Sequence, residues 1–160
     1  MSEASKTSEE EVKVALERFK RMADQLLYED HHCKLTSKVL EIKNYKASIS
    51  SKFIRLKDIK TVYYSKQRTF PGKEALQIND NGWSTSGRIW WALDPLRQTF
   101  NTGDKYNVVV DTGEEWKKGF SVVDMNGFGY YLFDLLGSQA TFYDGLPNEP
   151  MSLNNPPLFH

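Results

Sequence analysis

The segment Asp30-His31-His32-Cys33 places potential metal ligands beside a potential nucleophile. A structural zinc ion needs about four ligands brought together, and the chain supplies only one Cys and three His. Adjacent histidines in regular structure cannot both face one metal without distortion. We therefore expect no metal and no cofactor, and we interpret the segment as a polar junction between a helix and a strand.

Other catalytic chemistry has equally little support in the sequence. A nucleophilic Cys33 would need a base and an orienting group, and strand geometry points its neighbours away from it. The chain has no Gly-x-Ser-x-Gly elbow and no Gly-rich phosphate loop. The carboxylates of Asp111, Glu114 and Glu115 flank a predicted hairpin turn, where a solvated tip is expected. No catalytic residue is predicted.

The distribution of charge is the feature that favours a function. Residues 34–73 carry eleven Lys and Arg against Glu41 and Asp58, although the whole chain has no net charge. Residues 1–33 and 74–160 are both net acidic. A local excess of +9 favours an anionic partner. We expect one contiguous positive surface from six residues: Lys43, Lys46, Lys52, Arg55, Lys57 and Lys60.

Three tryptophans form a second candidate surface. Trp90 and Trp91 are adjacent in the most apolar stretch, residues 89–93, which is either a buried strand or a helical turn. In a strand, one of them would face inward and the other outward. The outward ring, or Trp83 in its predicted loop, could line a binding surface. Aromatic rings beside basic residues can stack nucleic-acid bases, and a Trp-lined cavity would suit a small ligand.

Residue periodicity predicts two helices and a set of short strands. Ser8 and Glu11 form a capping box, and an apolar stripe follows at helical spacing, so an amphipathic helix is predicted from Ser8 to about Glu29. The stripe residues expected to be buried against the domain are Val12, Leu16, Phe19, Ala23 and Leu26. Alternating β-formers between residues 33 and 123 predict about seven short strands. Asp124 is placed to cap a second helix over residues 126–136.

The organisation expected from these patterns is one globular domain, 8–137, between a flexible tail, 1–7, and an irregular apolar segment, 138–160. No apolar stretch resembles a secretion signal or a membrane span. A single cysteine excludes an internal disulfide. We therefore expect the protein in the cytoplasm or nucleus.

Residues 34–137 resemble the pleckstrin-homology-like barrel in its bacterial and GRAM-type versions. The resemblance lies in SSKFIRLKDIKTV at residues 50–62, where a strand ends in an apolar-x-x-Ile turn, and in KGFSVVD at residues 118–124. It implies an antiparallel barrel closed by a C-terminal helix. Phosphoinositide-binding members carry a Lys-x(n)-Lys/Arg-x-Arg pattern, whereas Lys52 and Arg55 are separated by two residues here.

The sequence thus predicts an α+β domain: an antiparallel β-barrel or strongly bent sheet of about seven strands, with an N-terminal amphipathic helix and a C-terminal capping helix. Its predicted function is that of a non-catalytic binding module. The predicted partner is an acidic protein surface or an anionic membrane, bound through residues 34–73. The alternatives are a nucleic-acid-binding protein, and a small-ligand-binding barrel or enzyme that uses the Trp83–Trp91 region.

Overall fold

The structure is a computed structural model that describes residues 8–17, 24–46, 50–67, 82–84, 88–95, 97 and 104–147. These residues form an α+β fold. Residues 8–17 form the first helix, α1, and the second helix, α2, comprises Met125–Leu136. Two short 3-10 helices, Leu56–Asp58 and Gly137–Gln139, follow β4 and α2 respectively.

The first four strands form an antiparallel sheet, sheet A. They are β1 (Leu26–Glu29), β2 (Cys33–Thr36), β3 (Val39–Lys46) and β4 (Ser50–Arg55), paired in that order. In β2 and β3, buried residues such as Leu35, Leu40 and Ile42 alternate with more exposed ones. Because alternation places successive side chains on opposite faces, one face of sheet A points to the core and the other points to solvent.

Six further strands form sheet B. They are β5 (Thr61–Lys66), β6 (Gly82–Ser84), β7 (Ile89–Trp91), β8 (Tyr106–Asp111), β9 (Lys117–Val122) and β10 (Thr141–Asp144). Their spatial order is β10-β5-β8-β9-β7-β6, with β10 parallel to β5 and β7 parallel to β9. The central strand β8 is buried continuously from Asn107 to Val110, as expected where both faces of a sheet are covered.

Helix α2 closes the space between the two sheets. The ring of Phe128 on α2 packs edge-on against two aromatic rings. Its centroid lies 5.5 Å from that of Tyr28 in sheet A and 5.9 Å from that of Phe120 in sheet B. The carboxylate of Asp124 accepts a hydrogen bond from the Gly127 amide at 3.2 Å and caps the helix. This confirms the predicted C-terminal helix and its cap.

The core has two parts, one on each face of sheet B. The larger part lies among sheet A, sheet B and α2. The smaller part lies on the other face of sheet B and consists mainly of Ile89, Trp91, Val109 and Leu146. Sheet B is therefore the middle layer of the fold, and polar residues that lie within it are removed from water.

The described part of the chain confirms the α+β class, but it does not confirm the predicted barrel or bent sheet of about seven strands. Ten strands are present there, divided between two sheets that do not close into one barrel, and two strand pairs are parallel. The sequence predicts a loop where the structure has β6, because three residues are too few to show alternation. The Ile89–Trp91 stretch is a strand, which settles the ambiguity between strand and helix.

The predicted extent of the N-terminal helix is also wrong. Leu26–Glu29 forms β1 rather than the last helical turn, since its backbone pairs with β2. Val12 and Leu16, which were expected to be buried, are 57% and 56% exposed. The predicted helix core also included Phe19 and Ala23, which lie outside the described residues. No described helix is both long enough and apolar enough to cross a bilayer.

The sequence predicts an irregular segment after α2, but the structure places a strand in it. Thr141–Asp144 forms β10, which adds in parallel to the edge of β5. Phe142 and Leu146 are buried, with 6% and 0% of their surfaces exposed. The expectations for residues 1–7 and 148–160 lie outside the described residues.

Candidate functional site

The six basic residues predicted to form one surface have different surroundings in the structure. Lys43 on β3 donates to Glu29 Oε2 at 2.8 Å and to the Asp30 carbonyl at 2.9 Å. Arg55 on β4 pairs with Asp58 at 2.9 Å. Both cations are thus partly neutralised by neighbouring carboxylates.

Lys57 and Lys60 lie on the connection between β4 and β5, and both are exposed. The ammonium of Lys60 lies over the β8–β9 turn, so close that a Cβ added at Gly113 would meet its Nζ at 2.6 Å. Neither lysine is among the described residues that line the cleft around Lys46 and Lys52.

Lys46 and Lys52 border a common cleft with a volume of about 460 Å³. We call it the basic–aromatic cleft. Its described lining comprises Tyr45, Lys46, Lys52, Trp90, Glu114, Glu115, Trp116 and Lys118. Sheet A supplies the end of β3 and the start of β4, and sheet B supplies β7 and the β8–β9 hairpin. The cleft therefore joins residues far apart in sequence.

The aromatic wall of the cleft is held by β7. Trp90 is half-buried, and its indole Nε1 donates to the Tyr45 carbonyl at 2.7 Å, while the two rings lie 6.2 Å apart. Trp91 points to the other face, where it is 1% exposed, so Trp90 is the outward ring of the adjacent pair and Trp91 does not line the cleft. Trp83 belongs to β6, directly opposite Trp90 in the strand register. The alternation of a strand explains this division between the adjacent tryptophans.

The carboxylates at the rim are already engaged. Glu115 pairs with Arg88 at 2.9 Å, and Glu114 pairs with Lys118, whose ammonium also donates to Thr112. The charge and hydrogen bond of Lys118, with a smaller contribution from Lys52, hold the pKa of Glu114 below its usual value. Among the described residues, neither Lys46 nor Lys52 forms a salt bridge. These two ammonium groups are therefore the cations of the cleft that could pair with an anion from outside the protein.

A second group of polar residues, which the sequence reading did not identify, lies inside the protein. We call it the buried polar cluster. Its members are Gln67, Asp94, Arg97, Asn107 and Ser121, each 3% exposed or less, with Lys105 and His32 at the margin. The available sequence signal was weak: Asn107 and Ser121 are polar residues inside apolar strand segments.

Hydrogen bonds account for much of this buried polar cluster. Ser121 Oγ donates to Asp94 Oδ2 at 2.6 Å and accepts from Gln67 Nε2 at 2.7 Å and Arg97 Nη2 at 3.2 Å. Asn107 Oδ1 accepts from Gln67 and from Arg97. Because the hydroxyl of Ser121 is fully engaged and 1% exposed, it is poorly placed to act as a nucleophile.

Charge compensation keeps Asp94 ionised. Burial alone would raise the pKa of its carboxyl, but the Ser121 hydrogen bond and the charges of Arg97 and Lys105 outweigh burial and lower it. The Lys105 ammonium lies 3.3 Å from Asp94 and 3.5 Å from His32 Nε2. Burial lowers the pKa of His32, so its neutral form is favoured.

The Asp30–Cys33 segment forms the turn between β1 and β2, not the predicted junction between a helix and a strand. Asp30 Oδ1 accepts from the amides of His32 and Cys33, and Oδ2 accepts from Tyr28 and from the Val123 amide. Burial raises the pKa of the Cys33 thiol, which disfavours the reactive thiolate. Among the described residues, no three His, Cys, Asp or Glu side chains are placed so that they could hold a metal ion together. Because Asp30 accepts a hydrogen bond from the Val123 amide, the turn joins sheet A to the start of α2.

Comparisons with protein-family models, with curated proteins and with solved structures found no match to this chain. The case for a function thus depends on the geometry of the chain itself.

Proposed function

We propose that the protein is a non-catalytic binding module that recognises an acidic segment of another protein at the basic–aromatic cleft. One observation carries the proposal: Lys46 and Lys52 lie beside Trp90 in one cleft and form no salt bridge with a described residue. Ammonium groups next to partly buried rings suit a peptide in which acidic residues are flanked by apolar ones. The rings contact the apolar side chains and exclude water around the ion pairs.

The arrangement of charge favours a polypeptide over a uniformly anionic surface. Glu114 and Glu115 lie at the rim, and they would repel a lipid bilayer or a nucleic-acid backbone brought against the whole cleft. Lys43 and Arg55 are paired with neighbouring carboxylates, so the excess charge of residues 34–73 is distributed. A polypeptide can present its carboxylates at intervals that reach Lys46 and Lys52 only.

The proposal involves neither of the buried residues Cys33 and Ser121, since both lie away from the surface. The pleckstrin-homology-like resemblance of residues 34–137 is likewise a proposal, and it implies binding rather than catalysis. A fold alone does not determine the partner.

The test measures binding of a fluorescein-labelled peptide in which Glu alternates with Val. Fluorescence anisotropy at low and high salt would compare the wild type with the double variant Lys46→Glu, Lys52→Glu. The matched control is Lys57→Glu, Lys60→Glu, which makes the same change of charge outside the cleft. We expect the cleft variant to weaken binding by about tenfold or more, and the control by about threefold or less.

Two outcomes would overturn the proposal. Equal losses in the two double variants would mean that the protein responds to total charge and not to the cleft. Tighter binding to phosphatidylserine vesicles or to a mixed-sequence DNA duplex, lost in the same cleft variant, would assign the cleft to that other class of partner.

A further inference from the structure

One border of the basic–aromatic cleft is also the edge of sheet A. Strand β4, Ser50–Arg55, is the last strand of that sheet and pairs only with β3 among the described strands. The other edge strands are shorter: β1 and β10 have four residues each, and β6 has three. An unpaired strand edge offers amides and carbonyls to an incoming strand.

The register shows which backbone groups of β4 point outward. The Leu56 amide donates to the Lys38 carbonyl at 2.9 Å, in the same register as Ile54 with Leu40 and Lys52 with Ile42. Hydrogen-bonded pairs alternate along an antiparallel ladder. The amides and carbonyls of Ser51, Phe53 and Arg55 therefore point away from β3, towards the open edge.

The side chains of β4 present two different faces to an added strand. Lys52 lies on the side of the basic–aromatic cleft. Phe53 lies on the opposite, outer face of sheet A, where it is 65% exposed and borders a groove of about 240 Å³. An added strand would thus place alternate side chains near Lys52 and the intervening ones beside Phe53.

Charge selects the occupant of this edge. Lys52 within β4 and Lys46, which lies opposite Ser50 at the start of that strand, make the cleft side of the edge basic. Like charges disfavour pairing with the same edge of a second copy of this chain. An extended segment with acidic residues at alternate positions would instead gain ion pairs together with backbone hydrogen bonds.

We propose that β4 binds an extended acidic peptide as a fifth strand of sheet A, with acidic residues facing Lys52 and apolar residues beside Phe53. This inference rests on the proposed function and specifies its partner as a peptide in extended conformation. Backbone hydrogen bonds would supply general affinity, and the alternation of side chains would supply specificity.

The first test exploits the outward amide of Phe53. Phe53→Pro removes that amide, and proline is tolerated where the N–H of an edge strand faces solvent. Phe53→Thr also removes the ring but retains the amide, so it is the matched control. With the alternating Glu–Val peptide, we expect Phe53→Pro to bind about fivefold more weakly than Phe53→Thr, the loss of about one hydrogen bond. A peptide of the same composition with Glu and Val in separate blocks should bind more weakly to the wild type.

Hydrogen exchange on the wild type provides a second measurement that needs no variant. The amides of Phe53 and Arg55 should exchange rapidly in the free protein and slowly with bound peptide, while those of Lys52 and Ile54 stay protected in both. If the Lys46→Glu, Lys52→Glu variant loses binding but Phe53 gains no protection, the proposed function stands and the added strand is refuted. If that variant binds normally, the proposed function itself fails. Self-association abolished by Phe53→Pro would show that a second copy is the occupant.

Discussion

Gly119 lies directly beneath the ring of Trp91, and replacing it with alanine should destabilise the fold. A Cβ built at this position would clash with Trp91 Cε3 and lie 2.7 Å from two further ring atoms, where ordinary contacts begin at 3.4 Å. The ring or the strand would therefore have to move by about 1 Å. Gly119 faces Trp91 directly in the parallel pairing of β7 with β9.

The surroundings of Trp91 leave little room for that movement. The side chain is 1% exposed, and the guanidinium of Arg97 lies 4.9 Å from the ring centre. The carbonyl of Gly119 also accepts from the Ala92 amide at 2.8 Å, which ties the two strands together. Overpacking of this kind lowers the free energy of unfolding by about 3 kcal/mol. Alanine also reduces the conformational entropy of the unfolded chain, which offsets up to about 1 kcal/mol of that loss. We expect a net loss of about 2 kcal/mol.

Urea unfolding followed by tryptophan fluorescence would measure this loss, together with a fall in Tm of roughly 4–8 °C. The control is the same glycine substitution in a Trp91→Leu background, where the smaller side chain should relieve most of the clash. The double-mutant cycle should then show a coupling of about 2 kcal/mol. A Gly119→Ala variant within about 0.5 kcal/mol of the wild type would refute the reasoning, because the ring would have moved without cost.

Two further predictions concern buried groups. Asp94→Asn should lower the free energy of unfolding at neutral pH by about 3–5 kcal/mol, because it leaves the charges of Lys105 and Arg97 uncompensated; urea titrations would measure it. Since the folded pKa of Asp94 is lowered, its stabilisation is complete above the unfolded value of about 3.9 and is lost as the pH falls through the folded pKa. The difference in free energy of unfolding between the wild type and the variant should therefore become smaller in acid. A difference that does not change with pH would contradict the assignment of an ionised Asp94. Cys33 should react slowly with maleimide in the native protein and rapidly in urea, measured by mass spectrometry, because it is buried and its pKa is raised; rapid native labelling would show that the site opens.

Local patterns in the sequence were enough to predict several helices and strands correctly. The Asp124 cap and the apolar spacing after it predicted α2, because a capped amphipathic helix is encoded within about twelve neighbouring residues. Alternation along residues 39–66 predicted strands there, and it placed Trp90 and Trp91 on opposite faces. Each of these inferences needs only the geometry of a single element.

Pairing between distant segments decided what the sequence could not. Leu26–Glu29 continues a helical apolar stripe, yet it forms β1 because hydrogen bonds with β2 are available. Thr141–Asp144 forms a strand because the edge of β5 accepts it in parallel. Such segments carry ambiguous local preference, and tertiary context determines their conformation.

The candidate site shows the same division. Composition identified Lys46 and Lys52 as candidates for binding an anion, and the charge block around them was visible in the sequence. Only the tertiary structure decided that Lys43 and Arg55 are paired, that Lys118 and Trp116 join the cleft, and that Asp94 meets Ser121 inside the protein. The physical reason is distance: charges and hydrogen bonds act over a few ångströms in space, and folding brings residues within that range from positions far apart in the chain.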